Sequence, residues 1–427
     1  MFLRRLKHLW MSMLPVLLLV ACGGSSAPAP TGLSVKAGES SALVHWDMES
    51  GVEYWLFYAP KSVAPTTTDM SRGWTGLTGG NVIIRVQSPT TVTGLSNDIE
   101  YVFTVNGRTN GGPGGPGASL VSATPRLAGS DWALTAAPIA PSQPLRAVAQ
   151  GALTVAGGTS GTLITSSDLQ VWTKRDQAAT TSNLNAGAFL TSYRFVGDNG
   201  TILTSTDAIN WTLQASNTSA NLYGIGTNNL NTAVAVGANG TILTSIDGLT
   251  WTSARSNTQR DLYGVTYSSA GSGLWIAVGA GGTILQSADA LTWTLVDAGT
   301  TADLRGVQYA LLPLATGATV ATGVFVAVGS NGTLLNSANG TAWTRSAAPT
   351  PAPTAMTQSF AQTQWNAVTY GRQFVAVGAG GLVATSLDGI QWRASNPTGT
   401  TENLLAVVPG PLSYSAVGAN ATVLVAK

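Results

Sequence analysis

Short runs of alternating apolar and polar residues, each closed by glycine, set the pattern of this chain, and VAVGANGTILTSIDGLTWT at 234–252 holds one copy of it. Val234, Ala235 and Val236 follow the period of two that sends successive side chains to opposite faces of a strand. Asn239-Gly240 favours a two-residue hairpin turn, so 241–244 is predicted to return antiparallel. Ser245-Ile246-Asp247-Gly248 predicts a second turn, in which the Asp carboxylate accepts bonds from the backbone N–H groups after it and Gly248 tolerates positive φ. Trp251 opens a further strand, and its ring is too large for one small sheet to cover.

Neighbouring copies can supply that cover. Tryptophans stand at Trp132, Trp172, Trp211, Trp251, Trp293, Trp343 and Trp392, at intervals of 40, 39, 40, 42, 50 and 49 residues. All but Trp132 follow Ser-x-Asp/Asn-x-x-x-Trp, with Asp168, Asp207, Asp247, Asp289, Asn339 and Asp388 at the turn position. The two long intervals come from insertions at 310–323 and 347–362. Upstream of each hairpin another motif opens at Leu145, Leu184, Leu222, Leu262, Leu304, Trp365 or Leu404, with Gly or Ala in its third place, as strands converging on a narrow channel require.

The last copy stops short of its Trp strand, while Asp131-Trp132-Ala133-Leu134 stands alone before the first. Seven sheets come out complete only if that N-terminal segment supplies the outer strand of the last one. The expected fold is all-β: over 127–427, a seven-bladed β-propeller closed by the Trp132 region pairing with the C-terminal strands.

Before it, 31–126 has short alternating segments at 33–35, 42–46, 54–58, 82–86, 101–105 and 120–123, the spacing of an antiparallel sandwich. Thr93-Gly94-Leu95-Ser96-Asn97-Asp98-Ile99-Glu100-Tyr101 resembles the turn before the sixth strand of a fibronectin type III domain, and Trp46, Tyr54, Tyr58 and the closing Val121-Ser122-Ala123-Thr124-Pro125 fit the same family. The resemblance implies a Tyr101 hydroxyl bonded back to the loop and a Leu95 that caps the core. The loop NGRTNGGPGGPG at 106–117 reads first as turns.

At the start, Arg4, Arg5 and Lys7 precede an apolar run over 9–20, the layout of a secretory signal at 1–21. Leu19-Val20-Ala21-Cys22-Gly23 resembles a bacterial lipobox, in which Cys22 becomes the lipid-modified first residue. Residues 22–30 then read as a flexible tether, and Gly23 favours the outer membrane by resemblance to sorting in Gram-negative bacteria. The expected attachment is to the membrane through this N-terminal lipid. With Cys22 the only cysteine, no intramolecular disulfide forms.

Only 9% of residues are charged and the net charge is +1, so no long-range field draws nucleic acid, and no nucleic-acid partner is expected. The Ser-x-Asp turns resemble Asp-box (bacterial neuraminidase) repeats. Together with the Val-Gly-x-x-Gly-Thr hairpins, the array resembles the photosystem II assembly and stability factor propellers, a family that implies a binding scaffold. Asp boxes also open a second reading, a sialidase-type glycoside hydrolase, which by resemblance needs three arginines, a Tyr paired with a Glu, and an acidic residue. The array holds Arg146, Arg194, Arg260, Arg305 and Arg372 without a diagnostic motif, a single Glu, Glu402, and no His. Asp168, Asp207, Asp247, Asp289, Asn339 and Asp388 are read as structural turn caps. Ca²⁺ takes about 6 to 8 oxygens and each turn offers one carboxylate, so no metal or cofactor is expected.

The surface expected to bind is the channel mouth, where the starts of the inner strands meet the hairpin turns. There stand Arg146, Asn185, Tyr223, Arg260, Asp261, Tyr263, Asp303, Arg305 and Asn366. The expected function is a non-catalytic, lipid-anchored envelope protein whose propeller binds a protein or carbohydrate partner.

Overall fold

The computed structural model describes residues 26–70, 73–74, 80–97, 99–177, 179–228, 230–271, 273–313, 321–350, 360–410 and 413–426. The signal segment, Cys22 and the centres of both insertions lie outside them. The chain forms two compact units, 1–125 and 126–427.

In the first unit, Ser34–Gly38, Ser41–His45 and Thr90–Thr93 form one antiparallel sheet, and Asn81–Val86, Val52–Pro60, Tyr101–Thr109 and Val121–Ala123, in that order, form the other. Trp46, Tyr54, Leu56, Tyr58, Tyr101, Phe103 and Val105 alternate inward and fill the space between them. The hydroxyl of Tyr101 accepts the Ser96 N–H at 3.2 Å, and Leu95 is buried beneath that turn. The strand Thr90–Thr93 has no counterpart among the sequence expectations: its one core residue, Val92, gives no periodicity. Within the stretch read as a tether, Ser26 bridges Arg108 and Ala27 is buried, so the described part of it is held to the fold.

Among the described residues the second unit contains seven four-stranded antiparallel sheets. Their first strands are Leu145–Gln150, Leu184–Phe189, Leu222–Thr227, Leu262–Ser268, Leu304–Leu311, Trp365–Tyr370 and Leu404–Pro409, and each packs against the next, the last returning to the first. The seventh sheet takes its outer strand from Trp132–Thr135, which pairs antiparallel with Val423–Ala426.

The tryptophans explain why the sheets pack in this order. Trp251 lies on Val196 and Ile202 of the preceding sheet, Trp293 on Val234 and Val236, and Trp392 on Val326 and Val328. Trp172, in the first sheet, lies on Val417 and Val423 of the seventh, and Trp132 covers Val375 and Val377 of the sixth. Each ring therefore covers the sheet before its own, and the rule holds across the point where the chain closes. Residues 128–131 add a latch: Gln373 Nε2 donates to the Ala128 carbonyl at 2.6 Å, and the Asn396 N–H donates to that of Ser130 at 2.9 Å.

The turn at Asn239-Gly240 corrects the sequence expectation of a two-residue hairpin. The last paired residues are Val236 and Ile242, so the connection is 237–241, a tight 3-10 turn with Asn239 at φ 54° and Gly240 at φ 70°. The longer turn leaves the Asn239 N–H free to bond across to the next sheet, where the Asp261 carboxylate accepts it at 2.9 Å. The Ser-x-Asp/Asn turns are closed by side-chain capping. The Asp247 carboxylate accepts the N–H groups of Leu249 and Thr250 at 2.8 Å, and Asn339 makes the same pair at 3.0 Å with its amide oxygen. Of the second insertion, the described ends pack on the ring: Thr350 bridges Arg393, and Phe360 stacks parallel to Trp365.

Candidate functional site

All seven inner strands carry the same irregularity. Leu184 pairs with Gly197 and Ala186 with Val196, so Asn185 is an extra residue in its strand, a β-bulge. The register slips in the same way at Arg146, Tyr223, Tyr263, Arg305, Asn366 and Leu405. A bulge kinks the strand and re-aims the side chain of its extra residue. Here it turns one residue from each sheet into the channel mouth, where these seven, with Asp198, Asn221 and Asp261, line a cavity of about 650 Å³. Beneath it a channel of about 450 Å³ runs along the inner strands between Ala, Gly and Val positions.

Of the residues expected at the mouth, the cavity brings together Arg146, Asn185, Tyr223, Asp261, Tyr263, Arg305 and Asn366. Arg260 and Asp303 are not in its lining. Arg260 Nη1 donates to the Gly281 carbonyl at 2.6 Å, and the Asp303 carboxylate accepts the Gly281 N–H at 2.8 Å. Asp198, Asn221 and Leu405 were missed. A signal for Leu405 was present, since it holds the same place in its strand motif as Arg146 and Tyr263.

Hydrogen bonds divide the ring by role. Asn185 Nδ2 donates to the Asp198 carboxylate at 2.8 Å and to the Leu222 carbonyl at 3.1 Å, and Asn366 Nδ2 donates to the Leu404 carbonyl at 2.7 Å. These two stitch one inner strand to the next. Asn221 and Asp261 clamp the turn of the preceding sheet, accepting the N–H groups of Asn199 and Asn239. Arg146 is exposed and makes no hydrogen bond or ion pair among the described residues.

On the facing arc, Tyr223, Tyr263 and Arg305 follow one another on three consecutive sheets. The two rings lie 5.7 Å apart at 44°, and the Arg305 guanidinium stands 4.9 Å from the centre of Tyr263. Arg305 is also 3.8 Å from the Asp303 carboxylate. Burial, with Asp261 beside it, holds the Tyr263 phenol above its ordinary value, so it remains a neutral donor at pH 7. The mouth thus offers two guanidiniums and an aromatic pair, its carboxylates being engaged in clamps. Glu402 lines neither cavity. Among the described residues no three His, Cys, Asp or Glu side chains come together as they would around a metal ion.

No family model matches this chain, and no curated protein matches it. Solved structures do. A YCF48 bound to D1 peptide is 16% identical, with 70% of this chain and 98% of that one covered at a TM-score of 0.54. YCF48 from Cyanidioschyzon merolae is 16% identical, with 69% and 98% covered at 0.50. A catalytically inactive virginiamycin B lyase from Staphylococcus aureus, solved with quinupristin, is 9% identical, with 70% and 99% covered at 0.55. Likeness at these identities is one of fold: this chain contains a β-propeller.

Proposed function

We propose that this chain is an exported envelope lipoprotein, acylated on Cys22 and held at the outer membrane, in which a fibronectin type III domain over 31–126 precedes a seven-bladed Asp-box propeller over 127–427. The propeller binds a segment of a protein partner at its mouth and does no chemistry. One observation carries the binding: seven bulged positions converge on one cavity, and Arg146, Tyr223, Tyr263 and Arg305 are left to face a ligand once the asparagines and carboxylates are assigned to stitches and clamps. Tyr and Arg are the side chains most enriched at binding hot spots. A YCF48 propeller has been solved with a D1 peptide, so this architecture is compatible with a peptide ligand. The type III reading is supported by the strand order and by the bond from the Ser96 N–H to Tyr101.

A photo-crosslinking residue in place of Tyr223 tests this in intact cells. A discrete adduct with one protein is expected, disappearing when Arg146→Glu and Arg305→Ala are added while the melting temperature holds. An adduct that survives both changes, or that forms equally from Leu295 on an outer strand, overturns the mouth as the site. Release of sialic acid from a fluorogenic sialoside, lost on Glu402→Gln, would replace binding with hydrolysis.

A further inference from the structure

The point at which the chain enters the first unit has a chemistry of its own. Ala27 is wedged between Gly107 and Gly115: a Cβ on Gly107 would lie 2.8 Å from that of Ala27, and one on Gly115 would collide with the Ala27 carbonyl oxygen. The Gly115 N–H donates to the Gly107 carbonyl at 3.0 Å, which closes the Gly/Pro loop over that residue. Ser26 bridges Arg108 on the strand Tyr101–Thr109. From Cys22 to Ser26 there are four residue steps, which span at most about 14 Å. A lipid on Cys22 would therefore keep Ser26 within about 14 Å of the acylated residue, which brings this end of the unit close to the headgroups.

Ser26 lies at the edge of the sheet that contains Val52–Pro60, beside Arg108, whose side chain reaches over the outer face of that sheet. The Arg108 guanidinium lies 3.3 Å from the centre of the Trp55 ring. Trp55 Nε1 donates to Glu53 at 2.8 Å, and Arg85 Nε donates to the same carboxylate at 3.0 Å. On the edge strand Asn81–Val86, Val82 and Ile84 are 42% and 54% exposed. Trp74 covers this face at Phe57 and Val102, and beside that cover it presents a half-buried indole, two exposed aliphatic side chains, and two guanidiniums against one carboxylate. Indole rings with guanidiniums suit the headgroup layer, where the ring sits in the interface and the cation meets lipid phosphate.

We propose that this Trp55–Ile84 face lies against the phospholipid headgroups of the leaflet that holds Cys22. The inference rests on acylation of Cys22. It makes the first unit membrane-apposed.

Cys22 is the only cysteine, so once it is acylated an introduced one is the sole free thiol. Full-length Ile84→Cys and, on an exposed position of the other sheet, Leu43→Cys are labelled with an environment-sensitive fluorophore. Each is then placed in phosphatidylethanolamine/phosphatidylglycerol vesicles containing headgroup-spin-labelled lipid. The label at 84 is expected to lose most of its fluorescence and shift to the blue, while that at 43 keeps its own. Equal quenching at the two positions in vesicle-bound protein overturns the docking and leaves the anchor standing. Failure of the anchor looks different: unmutated protein stays out of the membrane fraction and its Cys22 takes the label, which removes the basis of the docking as well.

Discussion

The Arg194 guanidinium, on the second strand of one sheet, is buried under Gly248 in the Ser-x-Asp turn of the next, and a Cβ added at Gly248 would fall on its Nε and Nη2 atoms. Arg194 Nε and Nη1 have no hydrogen-bond partner among the described residues, and burial, partly offset by Asp247, holds the group below its ordinary value. Five of the other six sheets place Val155, Val234, Ile276, Val326 and Val375 in the same register and the seventh places Ser415, so a cation fills the seam only here. An unpaired buried charge opposes folding.

Arg194→Val is therefore expected to raise the melting temperature of the propeller. Gly248→Ala is expected to cost about 1 to 2 kcal/mol from its φ of 74° alone, and more from the clash. A double-mutant cycle checks the pair by chemical denaturation. Gly248→Ala should cost less in the Arg194→Val background, and equal costs would mean that the two groups do not meet.

The carboxylates of the Ser-x-Asp turns make a pH prediction. In Asp168, Asp207, Asp247 and Asp289 the backbone N–H three residues on, then the one two residues on, holds the carboxyl below the ordinary carboxylate range. A folded-state pKa below the unfolded one contributes stability that is complete above about pH 4 and lost as pH falls through the folded value. The melting temperature should thus drop on acidification below about pH 4. Asn339 keeps the same two bonds without a charge, so Asp289→Asn should keep its turn, give up the charge-dependent part of the stability at pH 7 and make the acid drop shallower. A drop just as steep would mean that Asp289 is not among the groups responsible.

Closure of the ring places a demand on Trp132, which donates its Nε1–H to the Gly129 carbonyl at 2.9 Å while covering the sixth sheet. Trp132→Ala should cost about 3 to 5 kcal/mol. Limited proteolysis of that variant should begin within 404–426. First cuts in another sheet would show that the closing strand is not the weak point.

The mouth residues should separate by role. Asn366→Ala removes a stitch to Leu404 and should lower stability by about 1 kcal/mol. Arg146→Ala, at an exposed and unpartnered position, should leave melting unchanged while weakening partner crosslinking. Calorimetry beside the crosslinking assay reads both, and a melting loss at Arg146 would count against its assignment to a ligand.

Much of the architecture was legible in residue order because its causes are short-range. Alternation marked most strands of the ring, Ser-x-Asp set each outer turn through bonds to N–H groups two and three residues away, and a tryptophan at each recurrence required a neighbour to cover it. The strand Thr90–Thr93 escaped because one buried valine carries no period, and the hairpin at Asn239 was misjudged because its shape answers to Asp261 in the next sheet.

By itself the sequence determined a repeated four-strand unit, its turns and the need for apolar cover, all of which depend on neighbours a few residues apart. Only the tertiary structure decided which way each side chain faces at the mouth. The bulge that aims Tyr263 and Arg305 inward forms in the pairing of each inner strand with the next strand of its own sheet, while the diversion of Asp303 to a clamp and the seating of Arg194 beneath Gly248 arise where different sheets touch, and no local pattern of residues encodes those contacts.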